Sequence, residues 1–125
     1  MAQDYNLEEI ANLLREAAQS INERINEDNT LPYSKVQELA AHAQELLDDG
    51  QTLLEQAVIE IGEAAEAALE SLKGAGEEIE AAIKTIHNVQ TIIDIAAKVV
   101  VLSGSIVSGN YSDIPENVED ILNSI

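Results

Sequence analysis

The sequence has no cysteine, tryptophan or phenylalanine, one methionine and three tyrosines. Without cysteine there is no disulfide framework, no thiolate nucleophile and no thiolate metal ligand. Basic residues are also scarce: six Lys and Arg stand against 24 Asp and Glu, a formal charge of −18 at pH 7. That sign argues against a basic surface for nucleic acid or anionic lipid, so no direct nucleic-acid contact is expected. Long uncharged apolar runs are missing too. The least polar stretch, residues 91–109, contains Asp94 and Lys98, and beyond Val99 it is interrupted by Ser103, Gly104, Ser105, Ser108 and Gly109. A spanning helix needs roughly 20 predominantly apolar residues, so none is expected. The opening Met1-Ala2-Gln3-Asp4-Tyr5 has neither the basic nor the apolar region of a secretory signal, and a cytoplasmic location is expected.

Hydrophobic residues are nonetheless 46% of the 125, too many for a disordered acidic tail and enough for one folded domain. They recur at the helical period, and no long segment sustains a strand-like alternation. The first helix is expected over residues 6–26, capped by Asn6 with Glu9 behind it, and lined by Leu7, Ile10, Leu14, Ala17, Ile21 and Ile25. Pro32 marks the linker that follows.

Ser34-Lys35-Val36-Gln37 has the form of a capping box. Behind it, one apolar column runs from Val36 through Leu39, Ala43, Leu46 and Leu53. A second runs from Ala40 through Leu47, Leu54, Val58, Ile61, Ala65, Leu69 and Leu72. The phase passes Asp48-Asp49-Gly50 without a slip, which predicts one helix over 34–73, roughly 60 Å long, rather than two broken at Gly50. Gly74-Ala75-Gly76 reads as a turn. A third helix is expected over 77–108, apolar on most of its circumference from Ile92 onward, and a short last one over 114–124.

The expected architecture is therefore all-α: an elongated bundle of four helices dominated by a long antiparallel hairpin, in a single domain. The tight turn makes 34–73 and 77–108 antiparallel neighbours. Residues 57–82, rich in alanine inside and glutamate outside, would form a bare hairpin that a second copy could cover.

Chemistry has little to work with. A di-metal bundle needs Glu three residues before an inward His, but Leu39 precedes His42 and Lys84 precedes His87. Glu38, His42 and Glu45 share one helical edge at metal-compatible spacing, yet no second helix of ligands accompanies them. Asp48-Asp49-Gly50 and Glu27-Asp28-Asn29 lack the calcium-loop pattern. No strand precedes a glycine-rich phosphate loop, and no Ser–His–Asp arrangement is suggested. Neither enzyme activity nor a cofactor or metal is expected.

Tyr5, Tyr33 and Tyr111 fall at helix ends or linkers, where they seal the bundle with their hydroxyls wet. Tyr33 and Tyr111 are expected at the same end. The candidate interface residues are Tyr33, Tyr111, Val99, Leu102 and Ile106 near that end, with Leu69 and Leu72 on the hairpin. Three functions compete. The first is a helical module that self-associates or docks a helical protein partner. The second is a membrane-active hairpin using residues 91–109, and the third is an acidic decoy for a basic nucleic-acid-binding protein. The first is preferred.

Overall fold

A computed structural model describes residues 2–125 of the chain. The order of elements is β1 (Gln3–Asn6), α1 (Glu8–Glu27), α2 (Tyr33–Gln56), β2 (Val58–Ile61), α3 (Glu63–Gly74), α4 (Gly76–Thr85), α5 (Val89–Ser108) and α6 (Ile114–Leu122), with a short 3-10 turn at Tyr111–Asp113 before α6. The fold is all-α apart from one two-stranded ribbon.

Helix α1 starts where Asn6 Oδ1 accepts the Glu8 N–H (2.8 Å), one of the donors a helix start leaves without an internal partner. Glu8 and Glu9 in its first turn and Arg24 in its last complement the helix dipole. Pro32 precedes α2, and its carbonyl receives the Val36 N–H at 3.0 Å. α2 passes through Gly50 without interruption. At Gly50 the two helices come close: a Cβ there would stand 3.1 Å from Arg15 Cγ and 3.3 Å from the Ala11 carbonyl. α1 and α2 are thus an antiparallel pair, closed at the far end by the Leu7 N–H donating to the Ala57 carbonyl (2.9 Å).

The helix expected over 34–73 is divided. α2 stops at Ala57, whose φ of +62° and ψ of −55° lie outside the helical region. Val58-Ile59-Glu60-Ile61 then pairs antiparallel with β1 in the register Gln3↔Ile61, Asp4↔Glu60, Tyr5↔Ile59 and Asn6↔Val58. Three of these four β2 residues are β-branched, which favours a pleated strand over a helix. Four residues are too few to stand out as alternation. Tyr5, Ile59 and Ile61 face inward; Asp4, Asn6, Val58 and Glu60 face solvent.

The helix expected over 77–108 is divided as well. α4 ends at Thr85, and Asn88 restarts the chain as α5 by accepting the Gln90 N–H on its side chain (2.9 Å). A capping side chain placed after a helix-period run breaks it without disturbing its phase. Gly109, at φ +85°, closes α5 in the left-handed region.

These two breaks change the topology. α5 does not return antiparallel to α2 but runs alongside it in the same direction. Lys35 meets Gln90 at one end, Asp49 meets Ser103 in the middle, and Gln56 meets the Val107 carbonyl at the other. α4 runs with α1, since Gly76 lies by Leu13 and Arg24 reaches the Ile83 and Lys84 carbonyls. α6 folds back along α5 through Asn117–Ser105 and Lys98–Ser124 contacts, and also packs on α3. Residues 57–82 are accordingly not a bare hairpin: Leu69, Leu72 and Ile79 are buried in one continuous core with Leu14, Leu46 and Val99.

Candidate functional site

The densest group of interacting ionisable side chains sits where the ribbon meets α1 and α3. Tyr5 projects from β1, and its hydroxyl donates to Glu70 Oε2 on α3 (3.1 Å). Lys73, one turn further along α3, places Nζ 2.8 Å from Glu9 Oε2 on α1 and 2.5 Å from Glu70 Oε2. The same ammonium lies 5.6 Å from the centre of the Tyr5 ring, a cation–π distance. One cation therefore ties a strand to two helices.

The electrostatics of this group point away from proton-transfer chemistry. Burial, and then its bond to Glu70, pushes the Tyr5 phenol up to about 12. The bonds to Glu70 and then Glu9 raise the Lys73 ammonium above its ordinary value. The Lys73 partner holds the Glu70 carboxyl below its ordinary value. A general base or nucleophile needs its pKa brought toward the working pH, and here Tyr5, Glu70 and Lys73 are all moved away from neutrality. The arrangement is suited to holding the ribbon down.

Two further polar contacts lie inside. Arg24, buried, donates from its guanidinium to the Ile83 and Lys84 carbonyls (3.1 Å each), capping the C-terminus of α4, and its Nε lies 3.1 Å from Asp28. Asp28 is held below the usual carboxylate range by its bonds from the Thr30 hydroxyl and N–H, with Arg24 adding to the effect. Between α2 and α5, the buried Ser103 hydroxyl donates to Asp49 Oδ2 (2.5 Å).

The residues singled out as interface candidates separate into two groups. Leu69, Leu72, Val99, Leu102 and Ile106 are fully buried within the chain. Tyr33 is 76% exposed and does not seal the core. Tyr111 is half-buried against the core. Because α2 and α5 are parallel, Tyr33 and Tyr111 lie at opposite ends rather than together. Among the described residues, no three His, Cys, Asp or Glu side chains converge closely enough to hold a metal ion. Glu38, on the His42 edge, is instead 3.8 Å from Lys35. Sequence reasoning missed the Tyr5–Glu70–Lys73–Glu9 group, because only Glu70 and Lys73 are near in sequence and the other two arrive from β1 and α1. The Val58-Ile59-Glu60-Ile61 run was the available signal.

Charge is distributed unevenly between inside and outside. Asp49 is the one buried carboxylate among the described residues. Of the six cations, Arg24, Lys35, Lys73 and Lys84 are engaged in ion pairs within the chain. An open groove of about 610 Å³ follows the polar side of α1 from Asn12 to Asn26, with Leu47 of α2 at its edge. No protein-family model matches this sequence, and no curated protein or solved structure matches it either.

Proposed function

We propose that this is a non-catalytic, acidic helical interaction module that docks a cationic protein partner. The observation that carries the reading is the charge partition: all carboxylates but Asp49 reach the surface, while four of the six cations are consumed by internal pairing. The exterior field is strongly negative, and such a field steers oppositely charged partners and accelerates their encounter. Support also comes from the interior. The apolar columns of α5 are spent on the core, and the main cluster of perturbed ionisable groups is arranged as a latch.

Selection from a random peptide library displayed on a neutral scaffold tests this. The proposal expects enriched sequences carrying an excess of Lys and Arg, lost when ionic strength is raised. Enrichment of neutral apolar or acidic peptides would contradict it. A membrane-active reading draws on the fact that α5 is long and apolar enough to cross a bilayer by length and composition. One face of α5, with Ile92, Ile95, Val99, Leu102 and Ile106, is buried in the chain, while Val101 on the other is 57% exposed; the reading is not preferred because the buried face already packs in the core.

A further inference from the structure

The break between α2 and α3 is the most unusual place in the fold. Its apolar residues keep helical spacing across a segment that is not helical. Ala40, Leu47, Leu54 and Val58 continue in phase into Ile61, Ala65, Leu69 and Leu72, although β2 lies between the two helices. Phase continuity of this kind is the signature of one helix, and a strand inserted at random would not preserve it.

Part of this column on α2 and β2 is uncovered, although Leu54 packs against the core and Ile61 is buried. Leu47 is 37% exposed and Val58 49% exposed, two of the few large apolar side chains left in solvent. The hinge itself is under strain. Ala57 adopts φ +62°, ψ −55°, a γ-turn-like conformation that L-residues other than glycine rarely hold. Gly62, at the other end, has an extended backbone with open space where a Cβ would project. A helical conformation at residues 57–62 would relieve the strain at Ala57.

From these observations we infer that the chain has a second form, in which residues 33–74 make one unbroken helix and α3 to α6 dock onto a second copy of the same chain. A strained hinge joining two halves of one core favours such an exchange. The released half meets this chain's own α1 and α2 chiefly through α5 on α2 and α4 on α1. Contacts across the core are therefore re-formed between copies. The exposed column of α2, extended by Val58 and Ile61, becomes a continuous seam along the straightened helix. What is lost is the four-residue ribbon, with the inward packing of Ile59 and Ile61 and the hold it gives Tyr5; two-stranded ribbons are marginal alone. The occupant of the exposed column is thus a second copy. This surface is separate from the charge-driven docking proposed above, and neither requires the other.

Three single substitutions in the full chain test the inference, each read by light scattering and small-angle X-ray scattering after long equilibration at near-millimolar concentration. Gly62→Ala favours helix over the extended hinge by about fivefold per chain, so the dimer constant is expected to rise roughly 25-fold. Ala57→Gly relaxes the closed hinge and penalises the helix, so the dimer constant is expected to fall by at least as much. Leu47→Asp places a charge on an exposed position of the monomer and is expected to abolish the dimer while leaving the monomer folded. The dimer should also have a long axis of at least about 60 Å, set by the straightened helix. A Gly62→Ala protein that remains monomeric, or a dimer populated equally in all three variants, overturns the inference.

Discussion

Ser103 and Asp49 bind each other across the α2–α5 contact: the hydroxyl donates to the carboxylate at 2.5 Å, and both residues are buried. They lie in the middle of two parallel helices that are otherwise joined at their ends by Lys35–Gln90 and Gln56–Val107. This pair fixes the register of α5 against α2. Removing the hydroxyl leaves a buried carboxyl acceptor without its partner, the expensive half of a hydrogen bond. Ser103→Ala is expected to destabilise the fold by about 2 kcal/mol in urea unfolding. The Asp49→Ala, Ser103→Ala double variant should lose less than the sum of the singles. Additive losses would mean that the two residues do not interact.

Gly50 permits the close approach of α1 and α2. A Cβ would meet Arg15 Cγ at 3.1 Å and the Ala11 carbonyl at 3.3 Å, and the second of these is helix backbone that yields only if α1 shifts against α2. Gly50→Leu is expected to destabilise by about 2–3 kcal/mol through overpacking, despite the better helix propensity of leucine. Unchanged stability would show that the helices can separate freely.

Ala57 carries backbone strain at an exposed position. Ala57→Gly is expected to stabilise the monomer by about 1 kcal/mol, the relief of the strained conformation being partly offset by the greater freedom of glycine in the unfolded chain. A lower urea midpoint for the variant contradicts this.

The acid side of the stability profile contains opposing effects. Glu80 is raised above the usual 4.5 by burial and then by the neighbouring Glu16 charge. Its protonated form is favoured on folding, so its contribution is complete below 4.5 and is lost as pH rises through its folded value. General relief of self-repulsion at −18 acts in the same direction. Glu70 and Asp28 are lowered, so their contributions hold above their ordinary values of 4.5 and 3.8 and are lost as pH falls through their folded values. Thermal midpoints are expected to rise from pH 7 to about 5 and then to fall below about 4. A monotonic fall from pH 7 would contradict the self-repulsion argument.

At the alkaline end, Tyr5 at about 12 and the raised Lys73 favour their protonated forms in the fold. Their contributions are complete below the ordinary values of 10.0 and 10.5 and are lost as pH rises through the folded ones. The tyrosinate absorbance that differs between the parent and Tyr5→Phe proteins should appear only near pH 12. Appearance near pH 10 would mean that the phenol is neither buried nor bonded to Glu70 as described.

Much of the fold could be read from residue spacing, and what escaped has identifiable causes. α1, the passage of α2 through Gly50 and the short α6 follow directly from apolar period and capping residues. The β1–β2 ribbon was hidden because β2 continues the helical phase of α2. The alternative pairing depends on a segment more than 50 residues away in sequence, which no local pattern reports. Asn88 was hidden for a related reason: α4 and α5 share a phase, and a single capping side chain divides them. These two breaks turned an expected antiparallel hairpin into parallel α2 and α5, and with it moved Tyr33 away from Tyr111. Within the Tyr5 latch only the Glu70–Lys73 pair follows from helical spacing; Glu9 and Tyr5 reach it through tertiary packing of α1 and β1 on α3, which spacing alone does not report.

Recognition of a cationic partner by the carboxylate-covered surface, as proposed, is tested most directly by the salt dependence of that binding. With a cationic peptide selected on this protein, the dissociation constant is followed by calorimetry or anisotropy from low ionic strength to well above physiological. The account predicts steep weakening as the Debye length shortens from about 30 Å at 0.01 M to about 3 Å at 1 M. An affinity that stays constant across that range, or strengthens as salt is added, would contradict it and assign recognition to apolar contacts instead.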